Sequence, residues 1–259
     1  MDTSKFFDLT GKTAIITGGA NGIGKASCEM LSAFGANVVV SDYNLEAAEK
    51  TAKEINDNGG NAIAIDCDVT KDEALVNLVD KTVAKFGGIH ILVNNVGGGR
   101  AGAESPYDIT VEQFKKVFEM NVFSMWRLCQ LVAPHMKKAG YGSIINMSSM
   151  ASINKSPAIS AYASSKAAIN HMTRNLAYDY GPDNIRINAI GPGATRTAAL
   201  STVLTPEIEK AMLKHTPINR LGEAEDIAGA VLYFASPISS WTSGQVLFVN
   251  GGGEQTLDM

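Results

Sequence analysis

TAIITGGANGIGKASCEMLSAFGANVVVSD, residues 13–42, decides the fold. A β-branched run (TAIIT, 13–17) enters a glycine-rich turn (TGGANGIG, 17–24), a helix-like stretch runs from Ile23 to Phe34, and a second apolar run (NVVVSD, 37–42) follows. Strand, glycine turn, helix and strand make one βαβ unit. Both runs are apolar throughout rather than alternating, as expected of strands buried on both faces of a parallel sheet. Gly18, Gly22 and Gly24 let the chain turn tightly into a helix N-terminus, whose free N–H groups and dipole suit a pyrophosphate. The spacing is G-x-x-x-G-x-G and not the commoner G-x-G-x-x-G, and a merely tight connection is the competing reading. Asp42 ends the second run 18 residues after Gly24, close to the approximately 20-residue offset of an acid that binds an adenosine ribose. Helix capping is its alternative role, although Asn44 is well placed to cap instead. A carboxylate accepts from the ribose diol of NAD and repels the 2′-phosphate of NADP. Asn21 brings no positive charge and no Arg or Lys directly follows Asp42, so NAD is favoured.

The alternation continues. NLEAAEKTAKEIND precedes NAIAIDCDV (61–69), and DEALVNLVDKTVAKF precedes IHILVNN (89–95). A long helical stretch, 110–138, leads to GSIINMSS (142–149), a helix carrying Tyr162 leads to NIRINAIGPG (184–193), and EAEDIAGAVLYFA leads to QVLFVNGG. Seven strands with helices between them predict an α/β, Rossmann-type doubly wound parallel sheet. With no linker, low-complexity tract or charge block, residues 1–259 read as one domain.

A formal net charge of −4 argues against a nucleic-acid binder, which shows a basic patch or stripe. No apolar run approaches the roughly 18 residues of a membrane span. The start, MDTSKFFDLTGKTAII, has neither the basic region nor the apolar stretch of a secretory signal. Cys28, Cys67 and Cys129 form no C-x-x-C pair, which points to reduced thiols and a cytoplasmic location. His90, His135, His171 and His215 have no metal-ligand spacing, so no metal site is expected.

SAYASSKAAINHM (160–172) places Tyr162 and Lys166 four residues apart, on one face of a helix. A neighbouring ammonium favours the phenolate. With TGGANGIG, Asp68-Val69, NNVG (94–97), Asn121, Ser149 and Pro192-Gly193, this pair completes an ordered set. In that set the chain resembles the classical short-chain dehydrogenase/reductase family over nearly its whole length. Val96 departs from the alanine usual there. The resemblance implies that Tyr162 exchanges the proton with the substrate oxygen, that Lys166 together with the positive nicotinamide ring lowers its pKa, and that Lys166 holds the nicotinamide ribose. It implies that Ser149 holds the reacting oxygen; Ser149 is chosen over Ser148 for its spacing of 13 residues from Tyr162. Asn121 is expected to fix a water that relays the proton, with local helix bonding as its alternative. Cofactor contacts are expected at Gly18, Asn21, Gly22, Ile23, Gly24, Asp42, Tyr43, Asp68, Val69, Asn95, Gly97, Pro192, Gly193, Thr195 and Thr197, besides Tyr162 and Lys166, with Ile190 also framing the nicotinamide.

Residues 194–220 lie where the family places a substrate lid. Leu204, Ile208, Ala211 and Met212 recur at helical spacing after Thr205-Pro206, a stripe that suits either the core or an apolar pocket. VNNVGGGR, NVFSMWRLCQLVAPHM, SSMASINKS, KHTPINRLGEAEDIA and SPISSWTSGQ are similar to bacterial NAD-dependent 7α-hydroxysteroid dehydrogenases acting on bile acids. That similarity implies reversible oxidation of a 7α-hydroxyl to a 7-ketone, with Gly99, Ser149, Asn154 and Tyr162 at the substrate. Arg100 is either a contact to the bile-acid carboxylate or an exposed surface arginine. ATRTAALSTV departs from the pattern, which leaves regiochemistry open. An acyl-carrier-protein reductase, a polyol dehydrogenase and a non-catalytic dinucleotide sensor are the rival readings. The family implies a homotetramer, for which the apolar 110–138 stretch, with Phe118, Val122, Met125 and Trp126, offers a face.

Overall fold

The computed structural model describes residues 3–99, 106–155, 157–197, 200, 204–214 and 216–253. Seven strands form one sheet: β1 Thr13–Thr17, β2 Asn37–Asp42, β3 Asn61–Asp66, β4 Ile91–Asn94, β5 Gly142–Met147, β6 Ile185–Pro192 and β7 Val246–Val249. Their order is β3-β2-β1-β4-β5-β6-β7, and every neighbouring pair is parallel. The order reverses at β1, so a crevice opens between the C-terminal ends of β1 and β4, where ligands of such sheets bind. Thr17, Asp42, Asn94, Met147 and Pro192 are the last residues of their strands, which gathers the expected site on one edge.

The helices are α1 Gly22–Ala33, α2 Leu45–Asp57, α3 Asp72–Phe86, α4 Val111–Phe118, α5 Ser124–Ala139, α6 Ser160–Tyr180, α7 Pro206–Leu213 and α8 Ala224–Ala235. Successive strand residues face opposite ways. Ala14 and Ile16 accordingly join the apolar layer under α1, α2 and α8, while Ile15 joins the layer under α3, α5 and α6. Asn44 caps α2 by accepting from Ala47 N, which leaves Asp42 for another task.

The expected 110–138 helix is helical throughout but carries a π turn at Glu119–Phe123 between α4 and α5. Its two faces divide: Val122 and Met125 are buried, whereas Phe123 and Trp126 are exposed. β3 ends at Asp66 rather than at residue 69, because Asp68 turns the chain by accepting from the N–H and hydroxyl of Thr70. Beneath the sheet edge runs a buried polar ladder. Asn94 Nδ2 donates to Asn146 Oδ1 (2.9 Å), and Asn146 Nδ2 donates to Thr173 Oγ1 on α6 (3.0 Å).

Candidate active site

The β1–α1 turn fits a dinucleotide phosphate on three observations. α1 has no side-chain cap from Asn21 and no acidic residue in its first turn, so its N–H groups and dipole are free for an anion. Gly18 and Gly22 have positive φ, 63° and 52°. A Cβ on Gly24 would lie 2.0 Å from the Gly18 carbonyl oxygen, so any larger residue breaks the turn. A cleft of about 380 Å³ starts here at Asn21, Gly22 and Ile23, passes Asn95 and Gly97, and reaches Ser149, Tyr162 and Lys166. Pro192, Gly193, Thr195 and Thr197 form its other side. Buried Ile190 lies behind them in β6.

Asp42 sits at the outer end of this edge, 7% exposed. Its two oxygens accept one bond each, from Ala20 N and Asn44 N (both 3.1 Å), leaving lone pairs on both for a diol. Tyr43 beside it is exposed. Asp68 and Val69 lie on the adjoining strand end, where Cys67 N donates to the Asp42 carbonyl. Asp68 accepts from Thr70 through Oδ1 alone, and none of Asp42, Asp68 and Val69 is in the cleft lining. Asn95 lines it, but its amide nitrogen is used to fasten the Thr17 and Gly18 carbonyls. Thr195 donates to the Gly193 carbonyl, stiffening the turn after β6.

Ser149 follows β5 and caps a short 3-10 turn, Met150–Ser152, by accepting from Ala151 N. Ser148 instead turns inward and donates to the Lys166 carbonyl. Ser149 therefore faces the cleft and hydrogen-bonds the Tyr162 side chain. Burial pushes the Tyr162 phenol up and the Ser149 bond opposes it. The Lys166 ammonium lies 5.6 Å from the Tyr162 ring centroid, and Nζ donates to the Met147 carbonyl (2.7 Å). Desolvation holds Lys166 down at about 8. In the bare chain, then, the phenol is tuned by burial and Ser149. The lowering expected of Lys166 is expected of it together with the positive nicotinamide ring.

Asn121 sits on the π turn, which aims it away from local helix partners. Its Oδ1 accepts from Gly98 N (3.0 Å), and its Nδ2 donates to the Gly98 carbonyl (3.1 Å) and Ser165 Oγ (2.9 Å). It thus ties the β4 loop to α6. Gly97 and Gly99 pack where no side chain fits: a Cβ would lie 2.7 Å from Lys166 Nζ or 2.9 Å from Tyr162 Cβ, respectively.

Beyond the Ser149 turn opens a second pocket, about 710 Å³ and mostly apolar. Ile208, Ala211 and Met212 of α7 face it opposite Met150 and Ile159, so this part of the helical stripe lines a pocket and not the core. Leu204 is half-buried and outside that lining. Asn154 and Lys155 are polar members of the wall. Gly193 belongs to both cavities. Arg100 lies outside the described residues, as do parts of the 194–220 segment. Sequence reading missed Met147, Ser165, Met150 and Ile159, marked only by a backbone carbonyl, a one-turn offset from Tyr162 or mere apolarity, and Asn250, a polar member of the second pocket after β7 that no motif marks. Among the described residues no group of three His, Cys, Asp or Glu is arranged for a metal ion, and no described helix is long and apolar enough to cross a membrane.

Comparison with known proteins agrees with this geometry. The sequence family described as enoyl-(acyl carrier protein) reductase matches residues 18–254. The 7α-hydroxysteroid dehydrogenase of Escherichia coli K12 is 50% identical over 250 residues, covering 96% of this chain and 97% of that protein. The enzyme of the same name from Clostridium sardiniense is 38% identical over 245 residues, 94% of each chain. The structure of a 7α-hydroxysteroid dehydrogenase complexed with NADH and 7-oxo glycochenodeoxycholic acid superposes with a TM-score of 0.95 at 50% identity, covering all of both chains. By its sheet order, its glycine turn, its Ser149–Tyr162–Lys166 cluster and these relatives, the chain belongs to the short-chain dehydrogenase/reductase family.

Proposed function

We propose that this chain reversibly oxidises the 7α-hydroxyl of bile acids to the 7-ketone with NAD. The observation that carries the reading is a pair of cavities that meet at Gly193: a glycine-built dinucleotide cleft that reaches Ser149 and Tyr162, and a large apolar pocket walled by Met150 and Ala151 just after Ser149. An apolar, steroid-sized volume beside a proton-transfer pair suits a bulky alcohol better than a sugar. The relative whose structure contains NADH and a 7-oxo bile acid supports both the cofactor and the substrate.

When bound, NAD accepts the hydride from the carbinol carbon, and its positively charged ring joins Lys166 in lowering the phenol pKa. Ser149 holds the hydroxyl oxygen, and Tyr162 takes its proton as general base. Lys166, fixed by the Met147 carbonyl, keeps a positive charge beneath the ring. Asp42 reads the adenosine ribose, and α7 closes over the apolar face of the steroid. Phe123 and Trp126 offer exposed apolar surface to the homotetramer we envisage. Three unpaired buried cysteines fit a cytoplasmic protein.

The family description points to carrier-bound acyl substrates, and with them a second reading, reduction of the 3-oxo group of an acyl chain on an acyl-carrier protein. The Asp42 charge disfavours NADPH, and the net charge of −4 disfavours an acidic carrier. Purified protein offered NAD or NADP with chenodeoxycholate, its 7β epimer and deoxycholate, and in parallel NADH or NADPH with a 3-oxoacyl thioester, decides between them. Reduced NAD is expected with chenodeoxycholate alone and none from Tyr162→Phe. Silence on chenodeoxycholate, with turnover of an acyl thioester, would install the second reading.

A further inference from the structure

The Tyr162–Lys166 stripe continues one turn along α6 to Asn170, on the same helix face. Asn170 is 9% exposed and lines neither cavity. Its Nδ2 donates to Ser152 Oγ (2.8 Å), and Ser152 Oγ donates to the carbonyl oxygen of Ser149 (2.6 Å). That carbonyl also accepts from Ser152 N (3.0 Å). An amide nitrogen only donates, so Asn170 leaves the single Ser152 hydroxyl proton to Ser149. The other half of the amide gains nothing: Asn170 Oδ1 is buried with no partner among the described residues. An unpaired buried acceptor is a cost that an aliphatic of equal size avoids, so packing alone does not account for an asparagine here.

We propose that Asn170 is a positioning residue, holding the Ser149 turn against α6 through Ser152 so that the serine and tyrosine hydroxyls keep their spacing. Ser149 arrives from β5 and Tyr162 from α6, and the Asn170–Ser152 bond joins those two elements one turn below the site. The inference rests on the dehydrogenase reading above only for its kinetic arm.

The test compares Asn170→Leu, Ser152→Ala, the double variant and Ser152→Thr with the unmodified protein. In chenodeoxycholate oxidation kcat is expected to fall about tenfold in Asn170→Leu and in Ser152→Ala, since misplacement of reacting groups by a fraction of an ångström costs on that order. The double variant falls no further, because the pair acts as one unit. KM for NAD is unchanged, Ser152→Thr keeps the rate, and Asn170→Leu melts no lower than the unmodified chain. A second readout needs no substrate. The Tyr162 phenolate titration, isolated as the difference from Tyr162→Phe, moves to higher pH in Asn170→Leu, because the Ser149 bond that lowers it is loosened. Ser149 and Lys166, the groups that face the phenol, are untouched by the substitution. Inactivity of the unmodified chain on every bile acid would overturn the substrate reading, while the titration still decides this one. An unmoved titration overturns the positioning role, as do additive losses or a rate loss that merely tracks melting temperature.

Discussion

A methyl group at position 99 perturbs the proposed acid/base without touching its chemistry. The Cβ of Gly99→Ala would lie 2.9 Å from Tyr162 Cβ, 3.0 Å from Cγ and 3.1 Å from Cδ2. Carbon atoms settle at roughly 3.5–4.0 Å, so the contact is short by at least about 0.5 Å. Tyr162 Cβ is one bond from the α6 backbone, so no rotamer change relieves it; the ring or the β4 loop must move bodily. A misplacement of about 1 Å costs about a hundredfold in rate, and half of that sets the expected loss in kcat at roughly ten- to thirtyfold. Overpacking of this kind lowers stability by about 1–2 kcal/mol. Gly99 is outside the dinucleotide cleft, so the NAD dissociation constant stays within about twofold. Steady-state NADH formation, NAD binding by protein fluorescence and urea unfolding measure the three quantities. A kcat within about twofold of the unmodified value, or a loss confined to NAD binding, refutes the steric reasoning.

Three other outcomes follow from the same geometry. Asp42→Ser removes acceptors from Ala20 N and Asn44 N and the charge facing a 2′-phosphate; kcat/KM with NAD is expected to fall about tenfold or more and that with NADP to rise, since bonds to charged groups contribute about 1.5–3 kcal/mol. Lys166 is held at about 8, below its ordinary 10.5, so the unfolded chain binds more protons between those values and stability rises with pH across that window. In urea unfolding at pH 7 and pH 10.5, the unmodified chain should gain about 3 kcal/mol on Lys166→Met between the two conditions; a pH-independent difference contradicts the burial argument. Met212→Ser removes apolar wall from the second pocket, and the bile-acid KM is expected to rise about tenfold with NAD affinity unaltered.

Local signals carried well from sequence to structure. β1 and β2 fall at the expected residues, because β-branched runs bounded by glycine and aspartate leave little else. The Thr205-Pro206 start does cap and open α7. The choice of Ser149 over Ser148 agrees with the opposite directions of their side chains. What stayed hidden depends on partners far along the chain. Asn121 reaches Gly98 and Ser165, 23 and 44 positions away, and does so from a π turn that no periodicity announces. Asn95 lines the cleft, and its amide also holds the Thr17 and Gly18 carbonyls, a partnership that no spacing announces. Asp68 also accepts from Thr70 through Oδ1, a local turn that its motif does not announce. The direction of the Tyr162 shift follows from desolvation, which no spacing encodes.

The Asn94–Asn146–Thr173 ladder has a consequence for assembly. A helix seated on a sheet by aliphatic contacts alone can be re-seated one residue out of phase, which advances it about 1.5 Å and turns it by about 100°. Such a slip would swing the phenol off its face entirely while burying much the same apolar area. Directional bonds from Asn146 to Thr173 and from Ser148 to the Lys166 carbonyl are satisfied in one phase only, and every wrong phase strands buried polar atoms. These bonds therefore act as an index mark for α6: the chain that folds at all folds with its catalytic face already dialled to the sheet.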